Sequence, residues 1–444
     1  MLSENMINKI KAGASISNIT PDNPHFLFGY PFVERMSTGI HDHLLSSALC
    51  LNDGNNEVLF ISNDIIYVNK DFVARVRDKI SENTGIDESN IMIAATHTHS
   101  APVTVDLIIN SNDSVVPKVD RDYIKFVEEQ TVYSACQAYK KSEPAEIGFI
   151  VADATGVGTN RHNPAGLKDM DVPVMLVRNK SQEYIAAMLV CNMHPTILHE
   201  DSTLFSADFP YFVREGLKQL LGEKCTIIYY TGTAGNQSPR HVTKSNTFEE
   251  AERIGKIVSD SIKSNLNDST VYSSNVSIFT GQKLTDLPKR AFPSVKEAIH
   301  HRDNTKEQFE NLKNSSASPR EIRTAEVNWF GSEELLFLAT LAEKEGLHVA
   351  YDSSLPTEIQ IIKIGEWAFI GWSGEIFVEY GLELKKEFKN LSLITYANGE
   401  LQGYIVTQEA FEKGVYEAGN SLFDHNAGNI MLQKTIELLK EMKQ

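Results

Sequence analysis

Short apolar, β-branched runs alternate with amphipathic stretches from the start of the chain to about residue 270, the pattern of strands and helices packed in layers. The alternation predicts strands over residues 57–62, 91–95, 145–151, 172–177, 186–191 and 226–230, and helices over 71–82, 121–140, 209–221 and 249–264. From about Ser294 to Glu345 the sequence turns charged and helical, with a turn-rich break at 315–319, which predicts a helical hairpin inserted into the domain. Beyond it, 358–364 and 368–371 form a strand hairpin around Gly365-Glu366, followed by a helix over 377–388 and an amphipathic helix over 427–443. The expected fold is mixed α/β (α+β), a central mixed sheet flanked by helices. No internal repeat or long linker divides residues 1–444, so one catalytic domain carrying the 294–345 insertion is the simplest organisation.

Composition narrows the function classes. The 444 residues are 41% hydrophobic, enough for one large core or two moderate ones. A formal charge of −17, with Lys and Arg scattered, would repel a nucleic-acid backbone. No window approaches the ~20 apolar residues that span a bilayer. The N-terminus has no basic start followed by an apolar run, so a cytoplasmic location is expected. Four cysteines, at 50, 136, 191 and 225, lack CxxC spacing and read as free buried thiols.

The chemistry concentrates where apolar runs end. Thr96-His97-Thr98-His99-Ser100-Ala101-Pro102 follows directly on Ile91-Met92-Ile93-Ala94-Ala95. In extended chain, residues two apart point to the same side, so both imidazoles can line one pocket at the strand end, where open sheets place ligands. An HxH alone is equally compatible with solvent-facing loop histidines. A second apolar run ends in Met193-His194-Pro195-Thr196, which strengthens the metal reading, because zinc takes imidazole and carboxylate ligands from several rigid elements. His199 reads as a surface residue. A third run leads into Thr231-Gly232-Thr233-Ala234-Gly235-Asn236-Gln237-Ser238-Pro239, a small-residue turn without the Gly-Lys-Ser/Thr ending of a phosphate loop. The HxH of His41 and His43 is not read as a second metal site, and His300-His301 reads as a solvated helix face.

Taken in order, Thr96 to Pro102, Asn160-Arg161, His194-Pro195-Thr196, Gly235-Asn236-Gln237-Ser238-Pro239, Ser373-Gly374-Glu375 and Tyr404-Ile405-Val406-Thr407 with Tyr416-Glu417 resemble the neutral/alkaline non-lysosomal ceramidases. Ala12 to Pro21 and Gly39-Ile40-His41-Asp42 are similar too. The resemblance implies the N-terminal catalytic domain of a zinc amidase with one Zn2+ per chain, held by His97, His194, Glu375 and Tyr404. His99 would carry the proton, Arg161 and Tyr416 would donate hydrogen bonds to substrate, and Ser238 would position it. From residue type alone, Glu375 reads rather as a helix start, Tyr404 as a core aromatic and Arg161 as a surface-loop residue, so the site roles rest on the set taken together.

Departures from the family shape the expected substrate. The chain is expected to lack both the signal peptide and the C-terminal β-sandwich of secreted ceramidases, Gly235-Asn236 stands where the family has Gly-Asp, and Ala101 replaces a glycine. The expectation is a cytoplasmic zinc amidohydrolase acting on a small N-acyl or cyclic amide, or a lipid-like one, with no nucleic-acid partner and with homo-oligomerisation allowed. An ester or lactone hydrolase, or an amide-forming enzyme using the same zinc, is the alternative. A non-catalytic binding protein would be expected to lack ligands, and none is missing. The insertion, with Trp329-Phe330, is expected to act as a lid that sets substrate choice.

Overall fold

The computed structural model describes residues 10–442. Its main strands are β1 (Lys11–Asn18), β2 (Leu45–Asn52), β3 (Glu57–Asn63), β4 (Ile91–Ala95), β5 (Glu143–Asp153), β6 (Asp171–Asn179), β7 (Tyr184–Cys191) and β8 (Thr226–Thr231). They form one sheet in the order β8-β7-β6-β5-β1-β2-β3-β4, with the short strand Tyr272–Ser273 beside β5. Neighbours run antiparallel except at the two ends, where β3 and β4 are parallel and β7 and β8 are parallel. Four further strands, β9 (Ile278–Thr285), β10 (Thr357–Ile364), β11 (Trp367–Trp372) and β12 (Leu391–Ile394), make a second sheet in chain order. The mixed α/β architecture expected from the sequence is the one observed.

Helices cover the first sheet. They are α1 (Lys70–Thr84), α2 (Arg121–Lys140), α3 (Phe209–Leu221) and α4 (Phe248–Asn265). Local signals fix their ends. Asp120 caps α2 by accepting from the amides of Asp122 and Tyr123, and α1 stops at Gly85 in the left-handed conformation (φ 80°). The insertion is a helical hairpin of α5 (Val295–Lys313) and α6 (Pro319–Glu343), each opened by a capping box, Ser294 with Glu297 and Ser318 with Glu321. Short α7 (His348–Ser354), then α8 (Val378–Glu387) and α9 (Ala427–Glu441), complete the main helices. The expected end of the last helix at residue 443 lies outside the described residues. No described helix is long and apolar enough to cross a membrane.

The first sheet does not stay open. Met92, Met188, Tyr230 and Phe369, from both ends of this sheet and from the second sheet, share one core. The hydroxyl of Ser62 on β3 donates to the carbonyl of Tyr229 on β8 at 2.6 Å, and that of Thr231 donates to the carbonyl of Thr96 at 2.7 Å. The segment after β12 ties the two ends together, with Thr395 N–H on the Thr231 carbonyl and Ala95 N–H on the Tyr396 carbonyl. The C-terminal ends of β4, β7 and β8 therefore meet, although β4 lies at the far edge from the other two. Cys50, Cys191 and Cys225 are buried, Cys136 is half-buried, and all four are free thiols, as expected.

Candidate metal centre and substrate cavity

Each strand end delivers one part of the site. After β4 the chain turns through His97, whose backbone is left-handed (φ 66°), a conformation costly for a residue with a Cβ and found where surrounding structure enforces it. Its Nδ1 lies 2.9 Å from the Ile66 carbonyl. His194, after β7, lies with Nδ1 2.7 Å from the Ala234 carbonyl. Each carbonyl accepts only from a protonated Nδ1, so in the neutral imidazoles the lone pair falls on Nε2, and the two Nε2 atoms stand 3.0 Å apart. The His99 Nε2 is 3.3 Å from that of His97. Its Nδ1 is buried without a partner, so no carbonyl fixes its tautomer.

Glu375 arrives from the short strand Glu375–Ile376, which pairs in parallel with Tyr404–Ile405, so that Glu375 and Tyr404 are register partners. Its Oε2 is 3.4 Å from the His97 Nε2 and 3.3 Å from the His194 Nε2, and finds no hydrogen-bond donor there. The other oxygen, Oε1, accepts from the Tyr67 hydroxyl. Burial pushes the Glu375 carboxyl up, but the adjacent imidazoles of His97 and His194 outweigh this and hold it well below the usual range. For His194, burial and then the charge of Arg161 bring the imidazole down to about 4. His99 is held well below its usual value by burial and by its two histidine neighbours.

With the imidazoles neutral, their lone pairs and the carboxylate oxygen are aimed at one point and repel one another unless a proton or a metal cation sits between them. Nitrogens of His97, His99 and His194 all lie within 4.8 Å of one another, so this group can hold a metal ion. Fixing Nδ1 on a carbonyl, as at His97 and His194, is how proteins orient a metal-ligating imidazole.

A cavity of about 170 Å³ reaches His99 and Glu375, and Arg161, Ser238, Tyr404 and Tyr416 also line it. Arg161 is buried, not on the surface. It pairs with Glu417 at 3.0 Å and reaches the Tyr404 hydroxyl at 3.3 Å and the Gly235 carbonyl. Burial pulls its pKa down, but Tyr404 and Glu417 outweigh that and leave it raised. Burial, then Glu375, holds the Tyr404 phenol well above its usual value. Ser238 has its hydroxyl 3.4 Å from the Arg240 amide, with no imidazole bonded to it that would mark a nucleophile.

Several cavity groups were not legible beforehand. His199, expected at the surface, lines the cavity beside Tyr30, because the 198–208 loop folds back under the anchor of buried Asp208. Helix α6 turns Arg323, Val327, Phe330 and Glu334 to the cavity. Their spacing of four, three and four residues is the signal that could have found this face. Burial pushes the Glu334 carboxyl up to about 8, so at neutral pH it presents an O–H beside Tyr416 and Asn420. Tyr67 carried no motif at all. The second HxH stays apart: His41 stacks on Phe248 at 3.7 Å, and His43 bonds Asn18 and Thr20.

Residues 11–210 match the family described as neutral/alkaline non-lysosomal ceramidase, N-terminal. A neutral ceramidase from Pseudomonas aeruginosa is 24% identical over 260 residues, covering 52% of this chain. The matched stretch spans 38% of that curated relative's length. The crystal structure of neutral ceramidase from Pseudomonas aeruginosa superposes with a TM-score of 0.76 at 18% identity, covering 98% of this chain and 75% of that one. A ceramidase complexed with C2 gives 0.77 at 17% identity, with coverages of 98% and 76%. The fold is thus that of the neutral ceramidases across nearly the whole chain.

Proposed function

We propose, for a chain whose residues 11–210 match the neutral/alkaline ceramidase family, a zinc-dependent amidohydrolase acting on a small N-acyl or cyclic amide. The observation that carries this reading is the convergence of the His97 and His194 Nε2 atoms on Glu375 Oε2, with both imidazoles fixed through Nδ1. His97, His194, Glu375 and Tyr404 would hold the metal. When bound there, zinc would supply an acidified water, with pKa ~7, and would polarise the scissile carbonyl.

The chain's own groups do the rest. His99, free of a carbonyl at Nδ1, takes the proton of the attacking water and returns it to the departing amine nitrogen. Tyr416 donates to the carbonyl oxygen as negative charge grows there, and the Arg161 guanidinium stabilises that charge. Ser238 orients the amide. Phe28, Phe32, Val116 and Phe330 give the cavity an apolar wall for the acyl part and keep water from it.

The reading separates two neighbouring histidines. His97→Ala should strip the metal, whereas His99→Ala should keep it and lose roughly 100- to 10,000-fold in turnover, the usual worth of a general acid-base group. Metal analysis of the purified chain, then hydrolysis of an N-acyl amide panel from short acyl amino acids to ceramide, tests both. Absence of stoichiometric metal, or equal effects of the two substitutions on metal content, would overturn the assignment. Hydrolysis of esters or lactones but not amides would favour the same site acting on the other carbonyl class.

A further inference from the structure

Three guanidinium groups line the cavity, and two are committed. Arg161 is held by Glu417 and Tyr404, and Arg323 by Glu326 at 2.8 Å and Glu200 at 3.4 Å. Arg240 is different. It sits on the short turn Pro239–His241 directly after Ser238, half-buried, and its guanidinium makes no hydrogen bond or ion pair with any described residue. Glu417, whose field reaches it, already serves Arg161 and His162.

Such a cation does not help the fold. Burial, and then the charge of Arg161, brings the Arg240 pKa down to about 10, so the folded chain is strained by holding the charge there. A desolvated charge without a partner is destabilising, and a neutral side chain would fill the position at lower cost. What the guanidinium offers is a fork of N–H donors, shaped for a carboxylate or a similar planar anion, to whatever enters the cavity. Its neighbour Ser238 lines the same wall, and the Arg161 amide is bonded to the Asn236 carbonyl on the same segment, so Arg240 lies beside the groups that would handle the amide, where it can meet another part of the same molecule. The rest of the wall is largely apolar, which suits an amphiphilic anion rather than a free inorganic one.

We propose that the substrate is an amide bearing a carboxylate on its amine or acyl part, and that Arg240 is the residue that selects it. This rests on the amidohydrolase reading above and adds a charge requirement that a neutral lipid amide would not meet.

The test uses the 444-residue chain loaded with metal and matched pairs of ligands. In the hydrolysis arm, N-hexanoylglycine is compared with its neutral glycinamide counterpart, and with an acyl chain that carries its carboxylate at the far end. In the binding arm, calorimetry compares the ketone isosteres of the first pair, in which a methylene replaces the amide NH. The anionic member should be favoured in both arms by roughly 10- to 100-fold, as expected of a charge-assisted hydrogen bond. That preference should vanish in Arg240→Gln and partly return in Arg240→Lys, with neutral ligands unaffected. Which carboxylated substrate is preferred identifies the side on which the anion lies. Equal handling of charged and neutral members by the unsubstituted protein would overturn the proposal, and this comparison needs no variant to fold. An equal loss for both members in Arg240→Gln would do the same. Discrimination in binding with no hydrolysis of any amide would instead sink the amidohydrolase reading and leave the anion site standing.

Discussion

Replacing Tyr67 by phenylalanine removes one oxygen and tests whether Glu375 is a metal ligand held in place from behind. The Tyr67 hydroxyl donates to Glu375 Oε1, while Oε2 faces the histidines. The ring itself stays: its edge contact with His97, at 5.1 Å between centroids, and its tilted contact with Tyr396, at 6.1 Å, need no hydroxyl, so no cavity forms. A hydrogen bond to a buried carboxylate contributes ~1.5–3 kcal/mol. At ~1.4 kcal/mol per factor of ten, Tyr67→Phe should weaken metal binding roughly 10- to 100-fold, the range found for groups that orient metal ligands. Competition with a chelator of known affinity measures this, and the melting temperature in excess chelator shows whether the metal-free fold has also changed. If affinity moves by less than about twofold while the fold is intact, Glu375 is not positioned by Tyr67, and the reasoning from Oε1 to Oε2 fails.

Three further outcomes follow from the packing and the buried charges. A methyl group on Gly331 would lie 2.9 Å from the Tyr416 Cδ2 and 3.0 Å from its Cα, so Gly331→Ala should push α6 off the segment bearing Tyr416. It should cost ~1–3 kcal/mol in thermal unfolding and lower turnover with metal content unchanged. Phe330→Ala should raise KM for long acyl amides roughly tenfold or more while leaving metal content and short substrates alone, because it removes one apolar side chain from the cavity wall. The Glu400 carboxyl is pushed by burial from the ordinary 4.5 up to about 7. The folded chain therefore binds a proton that the unfolded chain has lost across that window. The stability this contributes is complete below 4.5 and falls as pH rises through about 7, by up to ~1.4 kcal/mol per pH unit. Melting curves across that range should flatten in Glu400→Gln, and an unchanged slope would show that Glu400 is not the group responsible.

Secondary structure was legible wherever the signal was short-range. The expected spans of β4, α2 and α3 coincide with the observed ones, since caps and periodicity act over a few residues. The helical insertion likewise announced itself through its charged composition and the turn-rich break at 315–319, and the structure opens each of its two helices with a capping box. Less visible were β1, β2, β9 and β12. In β2 the Leu45–Asn52 run is buried on both faces, so it shows no alternation.

The amino-acid sequence by itself determined the element types, the mixed fold class and the histidines that end two apolar runs, because those depend on neighbours along the chain. Only the tertiary structure decided that His97 and His194 meet. They follow β4, at one edge of the sheet, and β7, next to the opposite edge, and face each other because that sheet folds over so that Thr231 bonds Thr96 and the 395–398 segment ties both ends. The same closure supplied Tyr67 behind Glu375, turned one face of α6 into a cavity wall, and left the Arg240 guanidinium at that cavity without a partner among the described residues. Partnership of this kind, or its absence, is a property of residues far apart in the chain, and no local periodicity encodes it.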